Sequence, residues 1–296
     1  MKILVSGLVN TETTAAVRGF PIAYYPIDYT FFGVDTAVSG VAFNIAKALT
    51  VLGDEVRLNT MTGQDFAAGY IRDTLRELGI GTEFVKPKLR QTASSVVLYD
   101  PNGKRQINCD LKDIQETPCE FDEAVLEGVD LVAACNINFN RPLLHLAKRA
   151  GKTIATDVHV LSDIHDEYNR EFMEQADILF LSDEAVGEDY RAFLRHLAKT
   201  YPSRIIVMGR GARGAAMYLR ETGEITEMPA MSVGAVVNTV GAGDALFSGF
   251  LHFYARKLTP VEALRRAQVF AAYKITVSGA SKGFVTEQTV EDWQSG

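Results

Sequence analysis

Only three cysteines occur in the sequence, Cys109, Cys119 and Cys135, and none stands at the short spacing of a zinc or dithiol motif. An odd number of scattered thiols excludes a disulfide framework and fits free thiols in a reducing, cytoplasmic setting. Positive charge is also in deficit: 30 Lys and Arg against 37 Asp and Glu leave a net charge of −7 and a pI near 5.4. That balance argues against nucleic acid and against an anionic membrane as partners. No apolar run approaches the length of about 20 residues that spans a bilayer. The apolar start, residues 2–9, carries one Lys and ends at Asn10, which predicts a strand rather than a signal peptide. There is no internal repeat, low-complexity tract or interdomain linker, so one domain over residues 1–296 is expected. What is present is an apolar fraction of 47%, enough for a sizeable core.

Apolar runs separated by helical periodicities fill most of the chain. Strands are predicted over 2–9, 55–61, 129–134, 152–156, 178–181 and 204–208, and helices over 45–52, 66–78, 142–150, 167–175, 184–200 and 260–277. Strands alternating with helices imply right-handed βαβ units. The predicted fold is a doubly wound, mostly parallel sheet in three α/β/α layers. Segments 11–37 and 90–111 read as strands of a small exposed sheet. The first is rich in aromatics (Phe20, Tyr24, Tyr25, Tyr29, Phe31, Phe32); the second has an Asn102-Gly103 hairpin turn. Ligands of such sheets sit beyond the carboxyl ends of the strands, which points to Asn10, Asn136, Asn138, Asp157 and His159 as cleft residues. His159 alone reads first as a hydrogen-bonded structural histidine, Asn10 equally as a turn residue, and Glu12 more readily as one.

The most informative stretch is Asn238-Thr239-Val240-Gly241-Ala242-Gly243-Asp244, followed by the apolar Ala245 to Leu251. It reads as a loop tightening through glycines into a helix that begins near Asp244. Unpaired N–H groups and the positive end of the helix dipole make that start an anion site. A carboxylate there acts as a base toward a hydroxyl, or it is simply the helix cap; the local residues leave both readings open. Gly209-x-Gly211-x-x-Gly214 has the spacing of a dinucleotide fingerprint, but a strand and no helix follows it, which disfavours a nicotinamide-dependent dehydrogenase.

Thr239 to Asp244 resembles the signature of the PfkB, or ribokinase-like, family of carbohydrate and nucleoside kinases. The resemblance implies that Asp244 is the catalytic base and that the amides of Gly241, Ala242 and Gly243 form the anion hole. Asn238 stands where many members carry Asp. Gly40 and Asn44 match a second family motif that contacts sugar hydroxyls, with Ser39 in place of its first glycine and Asn10 at the position of a substrate-gripping Asp. Residues 41–43 hold no Lys of the kind that reads a phosphosugar, so an unphosphorylated sugar or polyol is the implied acceptor. Ser182, Gly209, Gly211, Gly214, Thr239 and Gln268 fall at nucleotide-binding positions. Ser182-Asp183-Glu184-Ala185 departs from the family's Asn-x-x-Glu, and each acid there reads first as the N-terminal charge of the next helix. ATP and Mg²⁺ are the implied cofactors, the metal held through phosphates and water without a protein ligand set, and a monovalent cation is a third. The resemblance also implies that segments 11–37 and 90–111 form a small β lid over the substrate, and a homodimer through that lid. A nucleoside kinase and a sugar- or nucleotide-binding relative without turnover are the alternatives to a sugar kinase.

Overall fold

The structure is a computed structural model that describes residues 1–295. The chain opens with β1 (Lys2–Ser6), β2 (Asn10–Ala16), β3 (Val34–Ser39), α1 (Val41–Val51), β4 (Glu55–Met61) and α2 (Phe66–Glu77). A short β5 (Val85–Lys86) leads to the hairpin β6 (Ser94–Tyr99) and β7 (Arg105–Asp110). Then come β8 (Leu131–Ala134), α3 (Arg141–Arg149), β9 (Thr153–Val160), α4 (Arg170–Gln175), β10 (Ile178–Ser182), α5 (Tyr190–Thr200) and β11 (Ile205–Gly209). The hairpin β12 (Ala215–Leu219) and β13 (Glu224–Met228) precedes α6 (Ala242–Ala255), α7 (Pro260–Lys274) and α8 (Glu287–Ser295).

The main sheet has nine strands in the order β13-β12-β11-β10-β9-β8-β1-β4-β5, parallel from β11 to β5 and antiparallel at the β12–β13 edge. Successive strand residues feed opposite faces, as the two-residue period requires. Ile3 and Val5 join the core under α1, α2, α6 and α7, while Leu4 joins the core under α3, α4 and α5. Ile178 and Phe180 divide from Leu179 and Leu181 in the same way. The result is the expected three layers, with β1 between β8 and β4 at the point where strand order reverses. Crevices for ligands open at such reversals.

A separate four-stranded sheet, β3-β2-β6-β7, forms the lid. Its strands lie at the ends of the first aromatic segment rather than within it. Residues 17–33 are an irregular connection whose Tyr24, Phe31 and Phe32 are exposed, and Pro21 and Pro26 withhold the N–H groups a ladder would need. β1 stops at Ser6, short of Val9; Gly7 still donates to Asn59 O at 3.2 Å and passes so close to Cys135 that a Cβ would meet its Sγ at 2.5 Å, and Asn10 opens β2. α5 starts at Tyr190 instead of Glu184, since Gly187 takes φ 71° and Asp189 supplies the cap to Ala192 N–H. α4 starts at Arg170 rather than 167, after a turn in which Asp166 accepts from Asn169 N–H at 2.8 Å. α7 begins in a Thr259–Glu262 capping box, as Thr-Pro suggests, and stops at Lys274 because the next carbonyl, on Ile275, is taken by another loop.

Candidate functional site

The loop before α6 is built on two close approaches. Gly241 caps the helix in the left-handed region, φ 78°, and a Cβ there would meet Ala280 O at 2.4 Å. Val237 and Asn238 both donate their N–H to Ile275 O, at 2.8 and 3.1 Å. The Asn238 side chain accepts from Val240 N–H at 2.8 Å, an Asx turn that gives it a part in shaping the loop. Ala242 N–H turns back to Thr239 O at 3.1 Å, which takes it out of the expected anion hole. Among the described residues the N–H groups of Gly241, Gly243 and Asp244 have no backbone acceptor, and Gly243 is exposed. These three amides, at a helix N-terminus, are what an anion would meet.

Asp244 lies half-buried in the first turn of α6, and its Oδ2 accepts from Asn44 Nδ2 at 2.7 Å. The bond joins positions 200 residues apart and brings the two sequence motifs into one site. Asn44 itself is buried in α1, behind Gly40, whose φ of 101° and contact with Leu8 O (2.5 Å from a notional Cβ) admit only glycine. Burial raises the Asp244 carboxyl to about 6; the Asn44 hydrogen bond and the charges of His159 and Lys274 oppose the rise, and Asp157 adds to it. A carboxylate poised near neutrality suits a general base. Asp157 and His159 sit at the end of β9 with His159 in the left-handed region, φ 59°, and His159 N–H bonded to Asp157 Oδ1 at 2.8 Å. Strain of this kind in a residue with a Cβ gathers at functional sites.

On the lid side, Asn10 is buried, donating from Nδ2 to Ser95 Oγ at 3.2 Å, while among the described residues its Oδ1 has no partner. Glu12, read from sequence as a turn residue, is a strand residue of β2 that accepts from Ser39 Oγ at 3.4 Å, and burial lifts its carboxyl above the usual range. Glu12, Thr14, Asp35 and Ser39 face Ser278 to Lys282 across a cavity of about 110 Å³. The Ala280 wall of that cavity is the same one on which Gly241 rests, so lid and anion site are contiguous.

On the other side, Ser182 and Gly209 are register partners at the carboxyl ends of β10 and β11, and Leu246 of α6 lies 3.8 Å from a notional Cβ on Gly209. Gly211 and Gly214 turn the chain at φ 54° and 89°, and Gly214 leaves no room for a Cβ, which would sit 2.0 Å from Met228 O. Thr239 is exposed on the loop. Gln268 differs from expectation: it is buried and its Nε2 donates to Met228 O at 3.3 Å, so its amide braces α7 against β13. Asp183 is not a helix-terminal charge; it is buried against Arg213 at 2.6 Å and Arg210 at 3.6 Å. The residue sequence reasoning passed over altogether is Lys274, a lysine on the apolar stripe of Ala263, Ala267 and Phe270.

Comparison with known proteins points the same way. The family model described as pfkB family carbohydrate kinase matches residues 2–287. The fructosamine kinase of Bacillus subtilis is 24% identical over 270 residues, 90% of this chain and 91% of that one. The acarbose 7(IV)-phosphotransferase of an Actinoplanes species is 24% identical over 287 residues, 96% and 95% of the two chains. Among solved structures, a microbiome-derived acarbose kinase superposes with a TM-score of 0.90 over 100% of this chain and 99% of that one, at 23% identity. The chain therefore belongs to the pfkB family of carbohydrate kinases and is a phosphotransferase with an alcohol group as acceptor.

Proposed function

We propose that the protein transfers the γ-phosphoryl group of ATP to a hydroxyl of an unphosphorylated sugar or related polyol, with Asp244 as the base. The observation that carries this is the Asn44–Asp244 bond of 2.7 Å at the N-terminus of α6, which sets a titratable carboxylate beside free amides. In this reading the acceptor lies between the lid and α6, held by Asn10, Glu12, Gly40 and Asn44. Asp244 takes the hydroxyl proton as the oxygen attacks. The amides of Gly241, Gly243 and Asp244 receive the negative charge of the transferring group, and Ala242 shapes the turn.

The nucleotide fits the opposite side, where Ser182, Gly209, Gly211 and Thr239 present a backbone-rich surface; Gly214, buried against the backbone of residues 228–230, holds the turn that shapes it. The oxygen donors near by, Ser182 and Asp157, are of the hard kind Mg²⁺ accepts alongside phosphates and water. Bound there, Mg²⁺ would neutralise phosphate charge. Glu12 supports a neutral acceptor: it faces the cavity, where it can bond hydroxyls and would repel a phosphate, while Lys282 at the rim pairs with Asp35 at 3.5 Å. A second reading, a nucleoside acceptor, draws on the exposed lid aromatics Tyr24 and Phe31, which offer faces to a base. We also infer a homodimer formed through that lid.

Release of ADP across ribose, fructose, adenosine, inosine and cytidine tests the proposal. Turnover with a free sugar supports it, and turnover confined to nucleosides selects the second reading. ATP binding with no ADP release on any acceptor would overturn both in favour of a non-catalytic relative.

A further inference from the structure

The last residue of α7 is a fully buried lysine. Lys274 is 0% exposed, and among the described residues its Nζ has no hydrogen-bond partner. An ammonium without partners is among the costliest groups a protein interior can hold, and folds seldom keep one without use for its charge. The chain beside Lys274 is given over to the signature loop. Ile275 O takes the Val237 and Asn238 amides, Ala280 supports Gly241, and Gly283 is packed on Lys274 O, 3.1 Å from a notional Cβ. Lys274 thus lies behind the loop that presents Asp244. Burial lowers its amine to about 8, and the charge of Asp244 works against that fall.

We propose that Lys274 is a positioning residue whose buried ammonium is a fixed positive charge behind the signature loop, keeping Asp244 ionised and countering the negative charge that gathers in front of α6 during transfer. The proposal rests on Asp244 being the base. It makes stability and activity respond in opposite directions. A lysine that merely packs should lower stability when removed and leave the chemistry alone. A lysine retained for its charge should leave stability unchanged or higher when replaced by a neutral residue of similar length, and should weaken the base.

The variants are Lys274→Met and Lys274→Ala, with Asp244→Asn as reference. The readouts are Tm and the pH profile of kcat/KM for the acceptor that releases most ADP in the panel. Asp157 and His159 from β9 and Asn44 from α1 also face Asp244 and stay intact, so differences belong to Lys274. For Lys274→Met the expected Tm is equal to or above wild type. Its kcat at pH 7 should fall about ten-fold or more, and the acidic limb should move up by about one pH unit, because removing a nearby cation favours the protonated carboxyl. The alkaline limb near 8 should vanish with the amine. Added methylammonium should restore part of the activity of Lys274→Ala. Wild-type kcat and limbs in Lys274→Met, or failure of that variant to fold, overturns the proposal. Turnover retained in Asp244→Asn sinks the base assignment itself, whereas an inactive Asp244→Asn beside a wild-type-like Lys274→Met sinks only the role of Lys274.

Discussion

Asp244 carries opposed demands, and its protonation shows them. Its carboxyl, raised from 3.8 to about 6 chiefly by burial, binds more protons in the native state than in the unfolded chain between those values. Stability therefore falls as pH rises through that window, and at neutral pH the ionised group costs the full difference. Asp244→Asn should accordingly stabilise the protein by about 1–3 kcal/mol at pH 7, read as a higher Tm, with the gain shrinking toward pH 4. The same change should lower kcat by about 10²–10⁴ while ATP affinity, measured by titration calorimetry, stays within a few-fold of wild type. Equal losses in both would mark a structural residue. Gly241→Ala tests the loop instead of the base. At φ 78°, with Ala280 O in the way, a methyl group forces the loop off its support. A loss of about 1–3 kcal/mol in urea unfolding is expected, together with lost turnover. This residue-level chemistry was partly legible in advance: the Gly-x-Gly-Asp run implied a helix N-terminus with free amides, and left Asp244 open between base and cap, with only the family resemblance favouring the base. That Ala242 N–H is spent on Thr239 O was not, because adjacent amides in one loop look alike until its hydrogen bonds are known.

At the scale of the element, α6 works at one end and is anchored at the other. His252, fully buried near its C-terminus, donates from Nδ1 to Asp54 Oδ2 at 2.6 Å, and its Nε2 accepts from Arg256 Nε at 3.0 Å. Phe247 and Phe250 meet Phe180 of β10 edge-on, with ring centroids 5.0 and 5.4 Å apart. Fixing the helix this way keeps its N-terminal amides aimed at the cleft. Asp54→Ala leaves the buried Nδ1–H donor of His252 without its partner and should cost about 1–3 kcal/mol; Phe250→Ala should cost about 3–5 kcal/mol through the cavity left behind. Chemical denaturation measures both, and a change below about 1 kcal/mol in either would mean the anchor lies elsewhere. Helix and strand cores were readable from apolar period, whereas boundaries were not wherever a tertiary partner sets them. α7 ends early because the signature loop claims Ile275 O, and α5 begins late because Gly187 turns the chain. Lys274 was hidden for a related reason. A lysine in a helix reads as a solvated face unless the stripe it shares with Ala267 and Phe270 is given more weight than its charge.

For the whole molecule, alternation of strands and helices sufficed to anticipate a doubly wound sheet, since connection handedness leaves few other arrangements, whereas the lid was implied by the family resemblance. It did not reveal which lid surface faces outward. The connection over 17–33 carries Tyr24 at 87%, Phe31 at 86% and Phe32 at 106% exposure, with Ile27 and Tyr29 at 69% and 77%. These side chains lie close together in sequence on the lid connection, and large exposed apolar patches on globular proteins mark interaction surfaces. β7 is exposed along its whole length and offers an unpaired lid edge near by. A second copy of the chain is the partner inferred here, and burying such rings in a symmetric contact supplies the central apolar patch that stable dimers have. Light scattering after gel filtration should give twice the chain mass of 32.5 kDa for the wild type. Phe31→Ser with Phe32→Ser should return the mass of a single chain at the same concentration. Because both rings are almost fully exposed in the isolated chain, the double substitution should leave its Tm within about 2 °C when compared below the dimer dissociation constant. A wild type that runs as a monomer at tens of micromolar would end the dimer reading and leave the aromatic connection to serve the acceptor alone.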